Sequence, residues 1–223
     1  MNETSKTKKL WSELERSILQ GKGIDIGCGP DPIAPDVYGF DKEAGDANEI
    51  TKYVREEFDF VFSSHCLEHM KNPRKAIQEW WRLVRPGGHL FFIVPDEDLY
   101  EQGVFPSRFN SDHKATFTIS KTKSWSPVSI NVLDLVQSLP GAQLVDLVLQ
   151  DVGYDRRRLQ HSRRSLARLW VRRVYGRYIR SNGRPSKKGG LARRTVLRFV
   201  DDQTLGPEAV AQIQCIVKKV ASA

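Results

Sequence analysis

Apolar residues along this chain fall in short runs, and the spacing within them changes in a regular order. "GIDI" (Gly23–Ile26), "VYGF" (Val37–Phe40) and "FDFVFSS" (Phe58–Ser64) are brief apolar stretches bounded by Gly, Pro or Asp, the mark of strands. "HLFFIVP" (His89–Pro95) is continuous rather than alternating, as a strand covered on both faces must be. Between these strands, Asn72-Pro73 opens a helix whose Ala76, Ile77, Trp80 and Val84 share a face, and "RPGG" (Arg85–Gly88) stops it. Upstream, Leu10, Leu14 and Ile18 recur every fourth position and predict an amphipathic helix from Ser5 to Gln20. "AQLVDLVLQ" and "AVAQIQCIVKKV", near the end, read as two further strands. Strands and helices that alternate in this way predict an α/β fold, a parallel sheet covered by helices. No internal repeat is evident.

Length and composition narrow the picture. A chain of 223 residues makes one large domain, or one domain with an added segment, and can bury a real core. The longest apolar run near a strand, Leu90 to Val94, is far short of a bilayer span. The opening "MNETSKTKKLW" has no apolar core, so neither a secretory signal nor an anchor is expected. Cys28, Cys66 and Cys215 are odd in number and lack metal-type spacing, which fits a reduced, cytoplasmic setting. The charge is unevenly placed. Arg156 to Val200 holds 16 Lys or Arg residues and no Asp or Glu, leaving 19 basic against 27 acidic residues elsewhere. An acidic body with one strongly basic segment implies a local anionic partner.

"GIDIGCGPD" carries the first candidate chemistry. A strand that ends in two glycines spaced by one residue commonly delivers a nucleotide to the start of the next helix. A dinucleotide turn needs a third glycine, and Pro32 stands in its place after Gly27 and Gly29. Asp41, twelve residues past Gly29, is close for the ribose acid of that fold. The Gly-Lys-Ser/Thr of a P-loop is also missing. NAD and ATP are therefore disfavoured, and an adenosine ligand without phosphates to cradle remains.

The ordered pieces "DIGCGP", "GFD", "GDANEI", "FDFVFSSHCLEHM" and "LVRPGGHLFFIVPD" resemble the class I S-adenosylmethionine-dependent methyltransferases. The resemblance covers Gly21 to Asp96, with weaker likeness to Thr118. It is nearest to compact, type 11-like members associated with surface-polysaccharide and other glycan biosynthesis, because only Lys42 to Gly45 separates "GFD" from "DANEI". The fold it implies is a Rossmann-like sheet, mostly parallel with the last strand antiparallel, and helices on both faces. Residues 1–150 plus 201–223 would form that domain, and 151–200 a basic helical insertion before the last strand.

The resemblance implies S-adenosyl-L-methionine as cofactor and assigns its contacts. The turn Gly27-Cys28-Gly29 would let the backbone approach the amino acid end. Asp25 would favour the ammonium, and Asp41 would accept both ribose hydroxyls. Asp46 and Ala47 would meet the adenine, while Ser64 and His65 would lie beside the sulfonium. Plainer readings stand beside these: Gly27 and Gly29 as an ordinary tight turn, Asp41 as a helix cap, Asp46 as a turn residue, and Glu68 and His69 as groups that satisfy a loop. His65 and His69, four apart with Glu68 between them, also suggest zinc. A strand-to-loop setting lacks the single helix face such a motif uses, so no metal is expected.

A sugar hydroxyl is a poor nucleophile at neutral pH and benefits from a positioned base. "RFNSDHKATFT" (Arg108–Thr118) follows the "HLFFIVP" strand, where open α/β sheets place ligands. His113 is expected as the base, with Asp112 orienting it and His65 in reserve; the alternative is that the pair only fixes the loop or binds substrate. In Asp155 to Arg180, Leu159, Leu166, Trp170, Val174 and Tyr178 make an apolar-aromatic stripe on an arginine-rich helix. Such a helix suits peripheral contact with the anionic inner face of a membrane bearing lipid-linked glycans; RNA phosphates and simple packing on the domain are the alternatives. Three function classes follow: O-methylation of a sugar or glycan, methylation of RNA or a small molecule, and a non-catalytic S-adenosylmethionine-binding module.

Overall fold

The computed structural model describes residues 3–107, 109–162, 202–206 and 208–220, with the backbone alone at 160–162. The first difference from expectation comes at once. In place of one helix over Ser5–Gln20 there are two, α1 (Glu3–Thr7) and α2 (Glu13–Ile18), with a single tight turn at Lys8–Leu10. Ser12 breaks the run. Its backbone is extended, its hydroxyl accepts from the Leu14 N–H, and the Glu15 carboxylate accepts from the Ser12 N–H at 2.8 Å, a reciprocal cap. The break turns Trp11 against Phe62 and Phe91 and leaves Leu14 exposed, so Leu10, Leu14 and Ile18 do not form one buried face.

The strands follow the sequence pattern: β1 (Gly23–Ile26), β2 (Tyr38–Phe40) and β3 (Phe58–Ser64). Asn72 caps α3 (Pro73–Arg82) by accepting from the Lys75 N–H, and the helix ends before Val84, which belongs to the next strand. That strand, β4 (Val84–Pro95), begins five residues earlier than expected and takes in "RPGG" as an irregular start where its register against β3 shifts. Then come β5 (Thr116–Thr118), β6 (Ser129–Asn131), α4 (Val132–Gln137), β7 (Ala142–Gln150), α5 (Arg157–Ser162) and β8 (Gln212–Lys219).

Six strands form one sheet in the order β2-β1-β3-β4-β8-β7. The first four are mutually parallel, and β8 is antiparallel to both of its neighbours. This is the mostly parallel, Rossmann-like sheet anticipated above. β5 and β6 pair separately. Alternation along β4 divides the core: Leu90, Phe92 and Val94 pack with Ala76, Ile77 and Trp80 of α3, whereas Phe91 and Ile93 pack with Phe60, Phe62 and Trp11 on the other face. Trp80 also reaches across to donate to the Ala47 carbonyl at 2.9 Å, fixing the segment after β2 to α3.

The chain divides into two compact units, residues 1–150 with 212–223, and residues 151–211. Within the second unit, Asp155 and Gln203 exchange two hydrogen bonds of 2.9 Å, and the Val210 N–H donates to the Val152 carbonyl. Of the expected arginine-rich helix only α5 is described; Leu166, Trp170, Val174 and Tyr178 lie outside the described residues.

Candidate active site

The carboxyl ends of β1 and β2 build a cradle. Gly27 has φ +77°, and its N–H donates to the Phe40 carbonyl at 2.7 Å, joining the turn to the end of β2. A Cβ on Gly27 would stand 2.5 Å from the Cys66 Sγ, so both conformation and space demand glycine there. Gly29, at φ +51°, faces the Asp41 carboxylate, with a Cβ position 3.8 Å from its Oδ2. Asp25 is buried in β1. Its Oδ2 accepts from the Ile33 N–H at 2.7 Å, and its Oδ1 has no hydrogen-bond partner. Burial pushes the Asp25 carboxyl up to about 7, because the charged form is poorly solvated.

A cavity of about 480 Å³ opens beside this turn, lined by Gly27, Asp41, Asp46, Ala47, Cys66 and Met70, with Phe40, Lys42, Gly45 and Tyr53 completing it. Asp41 folds its own loop: its Oδ1 accepts from the Lys42 N–H and its carbonyl from the Ala44 N–H, both at 2.7 Å. Asp46 caps the turn at Ala47–Lys52, accepting from the Asn48 N–H and side-chain amide. Those two bonds hold its carboxyl below the ordinary range. It therefore caps and lines the cavity at once. Asp25, Cys28, Gly29, Ser64 and His65 stand outside the lining. Phe40, Lys42, Gly45, Tyr53, Cys66 and Met70 are additions; Cys66 and Met70 lay within "HCLEHM", whose turn brings both to the cavity wall.

The segment after β3 leads to a second cluster. His65 adopts φ +53°, unusual for a residue with a side chain. Its Nε2 is 3.0 Å from Gln212 Oε1 and its Nδ1 3.3 Å from Glu68 Oε1. Burial pulls this imidazole down, but Glu68 and Gln212 outweigh it and hold the pKa at about 9. The protonated ring has no lone pair to take a proton, which argues against His65 as the reserve base.

The expected Asp112–His113 pair is not formed. His113 is buried, and its Nδ1 lies 2.5 Å from Glu101 Oε1 in the turn Glu97–Glu101 that follows β4. Asp112 is turned outward to His69 Nδ1 at 3.0 Å and Lys114 Nζ at 2.9 Å. Neighbours in an extended or turning chain point their side chains apart, so the two residues serve different partners. The His113 ring stacks on Tyr100 and meets His69 edge to face. The Lys114 N–H donates to the Glu68 carbonyl at 2.7 Å, locking this loop to the turn after β3.

Comparison with known proteins gives this geometry a context. Residues 9–92 match the family model described as a methyltransferase domain, a span that contains every residue lining the cavity. An uncharacterised protein of Methanocaldococcus jannaschii is 31% identical over 121 residues, covering 44% of this chain and 59% of that protein. The ubiquinone biosynthesis O-methyltransferase of Pectobacterium carotovorum is 28% identical over 109 residues, covering 36% of this chain and 46% of the enzyme. The chain thus spans about half the length of these curated relatives. Among solved structures, a Bacillus halodurans protein provisionally described as a methyltransferase superposes with a TM-score of 0.51 at 12% identity. That match covers 94% of this chain and 98% of the other, a likeness in fold. Sheet order and the match over residues 9–92 agree on a Rossmann-like, methyltransferase-type fold, for which S-adenosylmethionine is the cofactor to set against the cavity.

The residues present fit that cofactor. The cavity lies within the range usual for small-molecule sites, roughly 300–1,000 Å³. Gly27 keeps open the space a side chain would fill, and the unpartnered Asp25 Oδ1 suits a nearby ammonium donor. Among the described residues no helix is long and apolar enough to cross a membrane.

Proposed function

We propose that this protein transfers a methyl group from S-adenosylmethionine to a hydroxyl of a sugar or glycan. The observation that carries the reading is the juxtaposition along one turn: Cys66 and Met70 line the cofactor cavity, while Glu68 and His69 between them join the cluster around His113. Asp25 meets the cofactor's ammonium, Gly27 and Gly29 admit its amino acid end, Asp41 takes the ribose hydroxyls, and Asp46 and Ala47 border the adenine. When bound, the cofactor supplies a methyl on a sulfonium, a group that leaves without acid assistance. The chain's task is then to align the acceptor and activate it. Activation is centred on His113, with Glu101 rather than Asp112 orienting the ring.

The sugar or glycan acceptor is supported by the tight Lys42–Gly45 connection after β2, the trait shared with the compact glycan-associated members. The basic segment Arg156–Val200 supports peripheral contact with an anionic membrane that presents such acceptors, or with RNA in the second reading. The test is a methyl-transfer assay offering nucleotide sugars, lipid-linked saccharides and total RNA in parallel, with calorimetric titration of S-adenosylhomocysteine. Transfer to a saccharide is expected. Transfer to RNA alone would favour the second reading, and absence of cofactor binding would end both.

A further inference from the structure

Glu68, His69 and His113 each bring one ligand-type atom within 4.8 Å of the other two. We propose that these three side chains bind one divalent cation of the first transition series, zinc-, cobalt- or manganese-like in character, on the acceptor side of the cofactor cavity. The proposal rests on the reading of that side as the acceptor's place and says how the acceptor is activated.

The hydrogen bonds decide which ring atoms are available. His69 Nδ1 faces Asp112 Oδ2 at 3.0 Å, and His113 Nδ1 faces Glu101 Oε1 at 2.5 Å. With a carboxylate accepting at Nδ1, the neutral form of each ring carries its proton there and presents the lone pair of Nε2. Metal-bound histidines almost always carry this second bond to a carboxylate or carbonyl, which fixes the tautomer and raises the basicity of the other nitrogen. Two such pairs, from residues 69 and 113, converge on the same carboxylate.

That carboxylate is only half partnered: the His65 ring pairs with Oε1, and Oε2 has no hydrogen-bond partner. Glu68 is 1% exposed, and its Oε1 has His65 Nδ1 at 3.3 Å. The Glu101 Oε2 is likewise buried without a partner. A buried, unpartnered carboxylate oxygen is costly in a folded protein unless a charge meets it, and a cation at this point supplies one.

The donor set selects the ion. Two imidazoles and one carboxylate suit zinc and its first-row neighbours, while magnesium and calcium prefer oxygen alone. Three protein ligands leave positions open, as catalytic sites require. A four-coordinate ion with bonds of about 2.1 Å sets its ligands roughly 3.4 Å apart, so modest side-chain rotation from the 4.8 Å spread closes the site. His69, one quarter exposed, leaves an approach from solvent. A hydroxyl coordinated there would lose its proton to bulk water more readily, the role expected of a lone general base. The three side chains do not share a helix face; they come from two separate segments joined by the Lys114 N–H to Glu68 carbonyl bond.

The test titrates the chelator-stripped 223-residue chain with Co²⁺ alone, following its visible absorption, beside a calorimetric titration with S-adenosylhomocysteine. One equivalent of Co²⁺ should bind with the intense bands of a low-coordinate site. His113→Ala and Glu68→Gln should abolish those bands while S-adenosylhomocysteine still binds, which also shows that the fold survives. Asp112→Asn, at an exposed position outside the ligand set, should weaken Co²⁺ by about 10-fold through the freed His69 ring. No stoichiometric uptake, or uptake unchanged in both ligand variants, overturns the proposal. Loss of S-adenosylhomocysteine binding by the unmutated protein would instead remove the methyltransferase reading and leave the cation site standing.

Discussion

The two halves of the candidate site are built in different ways. The cofactor side is made by backbone: Gly27 and Gly29 at positive φ, the Gly27 N–H on the Phe40 carbonyl, and the self-folded loop of Asp41. Its parts lie between residues 27 and 70, each a short step beyond the end of a strand. The acceptor side is made by side chains. Glu68 and His69 come from the turn after β3, Glu101 from the turn after β4, and His113 from a further loop. The family match ends at residue 92 and so covers all of the first half and only Glu68 and His69 of the second. A backbone cradle depends on local geometry that many sequences can reproduce, whereas a side-chain cluster depends on which residues the loops happen to bring together.

The contrast is sharpest if one variant silences one half alone. His113→Ala should lower turnover by about 100-fold or more while leaving S-adenosylhomocysteine affinity nearly unchanged. Glu101→Gln should cost more turnover than Asp112→Asn, since Glu101 is buried against the His113 ring and Asp112 is exposed and shared with Lys114. A larger loss for Asp112→Asn would restore the pairing read from the sequence.

The converse variant addresses the cradle. Asp41→Ala should remove two bonds to a charged acceptor, about 1.5–3 kcal/mol, and weaken the cofactor about 10- to 100-fold by calorimetry. Gly27→Ala combines a φ of +77° with a Cβ 2.5 Å from the Cys66 Sγ. It should weaken the cofactor about 10-fold and shrink the rise in Tm on cofactor binding. If either variant instead spared affinity and cut turnover, the two halves would not be separable.

The smallest effect expected is a pH dependence confined to the cofactor side. Burial raises the Asp25 carboxyl from 3.8 to about 7 in the folded protein. Its contribution to stability is therefore fully present below 3.8 and is lost as pH rises through about 7. Cofactor affinity should run the other way, rising several-fold through the same window, because an ammonium is met best by the ionised carboxylate. Asp25→Asn should flatten both profiles, measured by thermal unfolding and by calorimetry from pH 5 to pH 9.

Much of this molecule was determined by local sequence. β1, β2, β3, β7 and α3 follow from apolar period and from Asn72-Pro73, because strands and caps obey rules that act over a few residues. The Gly27-x-Gly29 turn is legible for the same reason, whereas Asp41, Asp46 and Ala47, which line the cavity, were singled out through the family resemblance and not by local rules. The break at Ser12 was also written locally, in the Ser12-x-x-Glu15 pattern, which competed with the four-residue recurrence of Leu10, Leu14 and Ile18 and prevailed. What only the tertiary structure decided is which partners distant side chains choose. Adjacency in sequence paired Asp112 with His113, but the fold of residues 97–113 gave His113 to Glu101 and Asp112 to His69. Cys66 and Met70 reach the cavity wall, and Glu68 meets His113, through a turn and a loop whose contacts span forty or more residues. Long-range side-chain contacts carry no periodic signal, because their geometry is set by how loops close over the sheet rather than by the residues beside them.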